Sequence, residues 1–220
     1  MHLTKKLAVA AAVMVGSTGL AHAAFIQTTF TSGMTTQVAG ATTIDFESGA
    51  PGYSGDGAIL STSYDGVAAA PAGDTSKYLS VVYPKQSGTE EFKAAAGTSY
   101  DYFGLYWGSI DDYNSLQFFS GGTLLKTITG LDVIQTGAQL GDQMAAGSNR
   151  FVNFFFKDAS FDRIVFGTTN YAFESDNHAF ASTRTTDVPE PGTIALMGAG
   201  LFAVALATRR RRTALQASSI

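Results

Sequence analysis

The chain has 220 residues, a net charge of −4 and no cysteine. The absence of cysteine excludes disulfide bonds and a thiol nucleophile. Residues 24–187 hold eight basic and 17 acidic residues, a net charge of −9, which disfavours nucleic acid as a partner.

The N-terminus has the layout of a secretory signal peptide over residues 1–23. Lys5 and Lys6 form a short basic region before an apolar stretch at 7–15, which is too short to span a bilayer. Ala21 and Ala23 are the small residues of a cleavage site. We therefore predict that the protein is exported and that Ala24 is the first residue of the mature chain.

Ten short strands are predicted between residues 25 and 180. Aromatic, β-branched and threonine residues dominate these runs, and Gly, Asn, Asp and Ser separate them. The runs are residues 25–30, 42–47, 78–83, 90–95, 100–107, 115–120, 123–128, 151–156, 162–167 and 172–180. Many short strands without intervening helices predict an all-β domain over 24–187, an antiparallel β-sandwich of jelly-roll type.

Two glycine-rich stretches and one irregular stretch are predicted to connect these strands. Gly121 and Gly122 predict a two-residue hairpin turn, because glycine readily takes the positive φ that such turns need. The stretch 49–57 is predicted to be a loop that projects Tyr53 and Asp56 from one end of the sandwich. Residues 136–147 are the least strand-like part of the domain and are also predicted to form a loop.

No catalytic site is predicted, and we do not expect an enzyme. His178 is the only histidine between residues 24 and 187, and no serine lies in a nucleophile elbow. Neighbouring carboxylates occur at 90–91 and 111–112, but adjacent residues of an extended segment point to opposite faces. Neither pair can therefore flank one glycosidic bond.

Calcium is the candidate cofactor. Asp45 and Glu47 lie in the first core strand, and Asp176 and Asn177 lie in the last. Many carbohydrate-binding jelly rolls place these two strands side by side, and oxygen ligands are those that calcium prefers. The alternative is that these residues are ordinary strand-end groups bonded to the backbone.

Three aromatic residues are candidates for stacking on a sugar ring: Tyr53, Tyr106 and Trp107. Strand alternation places Trp107 on the face opposite to Tyr106, so at most a subset can form one ligand surface. Packing in the core is the alternative for this aromatic run. An ice-binding face is disfavoured, because the Thr-x-Thr pairs of the chain have no regular spacing.

The C-terminal segment combines an extended signal, an apolar run and a basic cluster. Pro189, Glu190 and Pro191 precede an apolar run at 193–208, and Arg209, Arg210, Arg211 and Arg212 follow it. The run predicts a transmembrane helix, and the arginines predict that residues 213–220 form a cytoplasmic tail. The prolines keep the backbone around Glu190 extended, as a protease cleft requires. The alternatives are a stalk before a permanent anchor and a buried core helix.

Residues 188–212 resemble a PEP-CTERM sorting signal in the order and spacing of these parts. The resemblance implies that an exosortase-type transpeptidase cleaves the chain and is its processing partner. The sequence segments 43–49, 102–111, 150–155 and 172–179 resemble segments of bacterial exosortase-dependent surface proteins associated with extracellular polysaccharide.

This family resemblance also implies a location and a role. We expect an inner-membrane intermediate held by the C-terminal helix, and then delivery to the cell surface or the extracellular matrix. The expected role is structural or interactive. The alternative is a lectin-like module that binds extracellular polysaccharide.

Overall fold

A computed structural model describes residues 24–81 and 87–183 of the chain. These residues contain twelve β-strands and one four-residue helix. The elements are β1 (Ile26–Thr31), β2 (Thr42–Ile44), β3 (Tyr53–Gly55), β4 (Gly57–Leu60), β5 (Tyr78–Val81), β6 (Gly88–Lys93), β7 (Tyr102–Trp107), β8 (Asn114–Ser120), β9 (Thr123–Thr129), α1 (Gly130–Val133), β10 (Arg150–Phe156), β11 (Arg163–Thr168) and β12 (Phe173–Ala181).

The strands form two antiparallel sheets, so the domain is all-β as predicted. The larger sheet has seven strands in the order β1-β10-β7-β12-β5-β4, and β2 also pairs with β12. The smaller sheet has five strands in the order β3-β6-β11-β8-β9. Neighbouring strands in sequence often lie in different sheets, so the two sheets are cross-connected throughout the domain.

Aromatic side chains from both sheets meet in one hydrophobic core. Phe103 and Phe154 of the larger sheet approach Phe118 of the smaller sheet, with ring centroids 5.9 Å and 5.6 Å apart. All three rings are fully buried. Such edge-to-face contacts add to the free energy of burial, and they hold the sheets face to face as a sandwich.

Strand β7 follows the predicted alternation. Phe103 and Trp107 point into the core between the sheets. Tyr102 and Tyr106 point to the outer face of the larger sheet, where residues around Val38 cover them. The period of two along the strand therefore separates one face from the other, as the sequence indicates.

All ten predicted strands are present, with shifts of one to three residues at their ends. The predicted strand at 78–83 ends at Val81, and residues 82–86 lie outside the described residues. Strands β3 and β4 are new, because they include part of the stretch 49–57 that we predicted to be a loop. That prediction was wrong. Gly55 has φ +146° and lies so close to β6 that a Cβ atom would be 2.5 Å from the carbonyl oxygen of Thr89. Glycine at this position permits sheet pairing.

The predicted hairpin turn is confirmed. Ser120 pairs with Thr123 across the two glycines, and Gly121 alone of the two has a positive φ, +56°. This is the type II′ pattern, which needs glycine only at the first central position. Residues 136–147 contain no helix or strand, as predicted.

A β-bulge in β12 decides which side chains reach each face of the larger sheet. The register between β12 and β7 shifts between Asp176 and Ala179, and Asn177 has φ +52°. Asparagine tolerates this left-handed conformation better than most residues. Because of the extra residue, Asp176 points outward while His178, two positions later, points into the core.

Candidate functional site

A cleft of about 330 Å³ lies on the outer side of the larger sheet. Four separate parts of the chain form it: the loop after β4, the ends of the β7–β8 connection, the irregular stretch before β10, and the start of β12. Its lining residues are Ser63, Tyr64, Asp65, Gly66, Val67, Ala68, Ala69, Ser109, Asp111, Tyr113, Gly141, Gln143, Tyr171, Ala172 and Glu174.

Glu174 is the most perturbed acid of the cleft. Its residue is 5% exposed, and one carboxyl oxygen accepts a hydrogen bond from the Ala69 N–H at 2.9 Å. Burial raises the pKa of Glu174 to about 8, and the nearby charge of Asp111 acts in the same direction. At neutral pH most of this side chain is therefore a neutral carboxylic acid, which can donate a hydrogen bond.

Asp111 and Tyr113 form a second polar group in the cleft. The Tyr113 hydroxyl donates to Asp111 Oδ2 at 2.5 Å. Burial raises the pKa of Asp111, while the hydrogen bond from Tyr113 opposes that shift. Burial and the acceptor Asp111 also raise the pKa of Tyr113. The tyrosine thus stays protonated and fixes one oxygen of Asp111, which leaves the second for another donor.

Ser109 has an unusual backbone conformation and a side-chain hydroxyl without a hydrogen-bond partner among the described residues. It has φ +44°, a conformation that few non-glycine residues adopt. Asn149 holds it there, because its side-chain oxygen accepts from the Ser109 N–H at 2.9 Å. The Ser109 Oγ is buried and has no hydrogen-bond partner among the described residues. Strained residues and unsatisfied polar atoms concentrate at binding sites, since a ligand can complete them.

Two large rings at the cleft remain accessible to solvent. Tyr64 is 38% exposed and Tyr171 is 44% exposed. They come from the loop after β4 and from the residues before β12. The cleft therefore combines accessible aromatic surface with polar groups, which is the composition of a site for a small organic ligand.

The charged residues described in the cleft lining are all acidic. Asp65, Asp111 and Glu174 line the cleft, whereas the described residues of the lining include no lysine or arginine. A ligand that carries negative charge would meet repulsion here with no cation to offset it. The electrostatics favour a neutral or a cationic ligand.

The three aromatic ligand candidates from the sequence are not in this cleft. Trp107 is fully buried and stacks on Phe173 at 4.4 Å, so it is a core residue. Tyr106 is 6% exposed, and its hydroxyl donates to the Ala72 carbonyl at 2.7 Å. Tyr53 packs against Phe46 and does not project from the domain. The prediction of a sugar-stacking surface on these rings was wrong, because each ring is used in packing.

His178 is a core residue as well. It is fully buried between aromatic rings, and burial lowers its pKa to about 3. Its Nδ1 lies 2.6 Å from the Tyr53 hydroxyl and its Nε2 lies 2.9 Å from the Ser175 hydroxyl. Both ring nitrogens therefore have partners, and the imidazole is held in one orientation within the core.

The four calcium candidates do not converge. Asp45 is exposed and accepts from the Glu47 N–H at 3.2 Å, and Glu47 accepts from the Lys77 N–H at 2.7 Å. Asp176 is fully buried, with Asn177 beside it. Within residues 24–81 and 87–183, no three His, Cys, Asp or Glu side chains form a group that could hold a metal ion. The pairing of Asp45 and Glu47 with Asp176 was therefore a wrong prediction.

The predicted processing signals fall outside the described residues. This holds for Ala21 and Ala23, for Pro189, Glu190 and Pro191, for the apolar run at 193–208, and for Arg209 to Arg212. Ala24 is described, and it is nearly buried against the core. In the part of the chain that the structure describes, no helix is long and apolar enough to cross a membrane.

Comparison with known families identifies the C-terminal segment. The model of the PEP-CTERM protein-sorting motif matches residues 187–212. The chain carries a PEP-CTERM sorting motif. This confirms the resemblance of residues 188–212 to a PEP-CTERM sorting signal, and the motif indicates a secreted surface protein that an exosortase-type system processes. No curated protein and no solved structure matches the chain.

Proposed function

We propose that this PEP-CTERM protein displays a carbohydrate-binding module at the cell surface, and that the cleft around Glu174 is its binding site. One observation carries the proposal. The accessible rings of Tyr64 and Tyr171 lie at a cleft whose interior presents hydroxyl and carboxyl groups. Sugars have apolar C–H faces and a rim of hydroxyl groups, so they match rings and polar groups together.

The polar groups of the cleft provide both donors and acceptors for sugar hydroxyls. The protonated form of Glu174 donates, and the second oxygen of Asp111 accepts. The Ser109 Oγ lies buried at the lining of the cleft and has no hydrogen-bond partner among the described residues. A hydroxyl-rich ligand satisfies these groups without adding charge to a partly buried site, which limits the cost of desolvation.

The ligand class follows from the charges. Uronic-acid glycans would bring carboxylates next to Asp65 and Asp111. The described residues of the lining provide no cation to offset the repulsion between these negative charges. We therefore propose a neutral or amino-sugar polysaccharide as the ligand, present in the extracellular matrix around the cell. A structural role in that matrix follows from the same binding.

The strand order supports the predicted jelly-roll architecture. From β5 to β12, the strands lie in the orders β5-β12-β7-β10 and β6-β11-β8-β9 within the two sheets. Strands β5 to β8 alternate between the two sheets. Strands β9 to β12 then pair with β8 to β5 in reverse order, as in two Greek keys. Lectin domains are among the proteins that use this architecture.

A glycan array tests the binding site. We expect the full chain, purified in mild detergent, to bind neutral or amino-sugar oligosaccharides and to leave uronic-acid glycans unbound. Tyr171→Ala and Tyr64→Ala should each weaken binding by roughly tenfold, which corresponds to about 1.4 kcal/mol. Leu124→Ala is the matched control, since Leu124 is 48% exposed on β9 of the other sheet. Binding that survives both tyrosine changes would move the site away from the cleft.

The C-terminal motif supports a processing route. We infer that the apolar run at 193–208 holds an intermediate in the inner membrane with Arg209 to Arg212 in the cytoplasm. The exosortase-type enzyme then cleaves near Pro189, Glu190 and Pro191 and releases the domain to the surface. Exopolysaccharide surrounding the cell is then the ligand that the domain meets.

Mass spectrometry of the mature protein tests this route. In cells with the sorting enzyme, we expect the mature chain to lack residues 193–220, and in cells without the enzyme it should retain them. Glu190→Ala should leave the segment in place in both strains. Asp187→Ala is the control, because it lies at the first matched residue and outside the Pro-Glu-Pro signal. An identical mass in both strains would contradict processing.

A further inference from the structure

A second polar cluster lies outside the cleft on the same face of β12. Asp176 follows Glu174 by two positions, and the turn at 71–76 covers it. Ser76 joins this turn to the strand, since its hydroxyl donates to Asp74 Oδ1 and also lies 3.2 Å from Asp176 Oδ2. We call Asp74 and Asp176 the carboxylate pair.

The carboxylate pair has fewer hydrogen-bond donors than it needs. The Ser76 N–H donates to Asp74 Oδ1 at 2.9 Å, and the Asn177 side-chain amide donates to Asp176 Oδ2 at 2.9 Å. The Ser76 hydroxyl has one proton, so it can serve only one of the two carboxylates at a time. Asp74 Oδ2 and Asp176 Oδ1 are buried and have no partner among the described residues.

Asp176 itself is fully buried, and no positive side chain of the described residues forms an ion pair with it. Within the described residues, neither member of the pair makes an ion pair with lysine, arginine or histidine. Lys77, the nearest basic residue in sequence, places its Nζ on the Glu47 carbonyl at 2.9 Å. Two adjacent acids in this setting require a proton or a cation between them.

We propose that Asp74 and Asp176 bind a calcium ion, with Ser76 and Asn177 as further oxygen ligands. All the available groups are oxygens, which suits a hard cation and disfavours zinc. Asp74, Ser76 and Asn177 are only half-buried, so water can complete the six to eight ligands that calcium takes. Two carboxylates make a weak site, in the 10⁻⁴–10⁻³ M range of extracellular modules. Such an affinity fits a protein that works outside the cell.

The ion would connect the 71–76 turn to the bulge of β12. Asp74 lies on the turn and Asp176 lies next to Asn177, whose φ of +52° marks the bulge. A calcium ion bound by both residues therefore crosslinks two segments a hundred positions apart in the chain. Because the unfolded chain cannot hold the two residues together, calcium binds only the folded state and stabilises it.

Thermal unfolding of the full chain tests the site. Trp107 is the only tryptophan and is fully buried, so its fluorescence reports loss of the core. With calcium at tenfold excess over Kd, we expect Tm to rise by roughly 3–6 °C, and chelator should reverse the rise. Magnesium should give a smaller rise, because it demands octahedral geometry and gives up its water reluctantly.

Substitutions locate the effect. Asp74→Asn and Asp176→Asn should each abolish the calcium-dependent rise, whereas Asp45→Asn, an exposed acid of the earlier prediction, should keep it. Asp74 is half-buried, whereas Asp176 is fully buried, so the Asp74 variant remains usable if Asp176→Asn fails to fold. An unchanged Tm at 10 mM calcium, or a rise that persists in Asp74→Asn, would overturn the site. Glycan binding and calcium binding involve different residues, so either proposal can fail alone.

Discussion

The two faces of β12 carry buried polar groups of opposite character. On the inner face, His178 and Ser175 bond to each other and His178 also meets Tyr53, so each ring nitrogen of the histidine has a partner. On the outer face, Glu174 and Asp176 are also buried, and burial raises their pKa values to about 8 and about 7. Asp176 also keeps one oxygen without a partner among the described residues.

Burial alone therefore does not distinguish a structural polar group of β12 from a functional one. A buried polar group with all its hydrogen bonds stabilises one packing arrangement of the core. A buried acid without them costs free energy in the absence of a ligand, and that free energy becomes available to whatever completes it. The inner face of β12 is therefore assigned to stability, and the outer face to binding.

The largest expected effect is on the inner face. His178→Leu keeps the volume of the side chain but leaves the hydroxyls of Tyr53 and Ser175 without their partner. Each buried group left unpaired costs about 1–3 kcal/mol, so we expect a loss of roughly 3 kcal/mol in the free energy of unfolding. Urea unfolding followed by Trp107 fluorescence measures it.

A second substitution sharpens this result. Tyr53→Phe in the His178→Leu background removes one of the orphaned hydroxyls, so the double variant should be more stable than His178→Leu by about 1 kcal/mol. In the wild-type background, Tyr53→Phe should instead destabilise, because it orphans His178 Nδ1. A His178→Leu variant as stable as the wild type would show that the inner polar network does not hold the core.

The side chains of β7 that point into the core could be predicted from the sequence, whereas those of β12 could not. Simple alternation from Phe173 would place Ser175 and Asn177 inward and His178 outward. The bulge at Asn177 reverses this for the second half of the strand, and nothing local except the tolerance of asparagine for positive φ indicates it. One extra residue therefore moved the only histidine of the domain into the core.

The cleft and the pairing of Asp176 with Asp74 were missed for a different reason, although Asp176 itself was a predicted calcium ligand. Asp111 and Glu174 were visible in the sequence as acids, but their proximity depends on pairing between distant strands. Asp74 likewise meets Asp176 only because a turn folds over the outer face of the sheet. The glycines of the stretch 49–57 were equally misleading, since Gly55 permits close contact between β3 and β6. Strand positions follow from local patterns, whereas these contacts follow from topology.

A smaller expected effect concerns the outer face: the contribution of Glu174 to the free energy of unfolding should depend on pH. The carboxyl of Glu174 ionises at about 4.5 in an unperturbed chain and at about 8 in the folded domain. Between these values the folded state holds more protons than the unfolded state, so the free energy of unfolding falls as pH rises. The stability that Glu174 gives is complete below pH 4.5 and is lost as pH passes 8.

Glu174→Gln isolates this contribution, since glutamine has the same shape and does not titrate. Each pH step of one in this window is worth about 1.4 kcal/mol, so the variant should gain roughly 2 kcal/mol on the wild type between pH 6 and pH 8. Urea midpoints at several pH values measure the gain, and Glu91→Gln, whose carboxylate pairs with Arg163 at 3.0 Å on the other sheet, is the control. Parallel pH profiles for wild type and Glu174→Gln would mean that Glu174 is ionised in the folded domain. The outer face would then not differ from the inner face in the way proposed, since its acid would already be satisfied without a ligand.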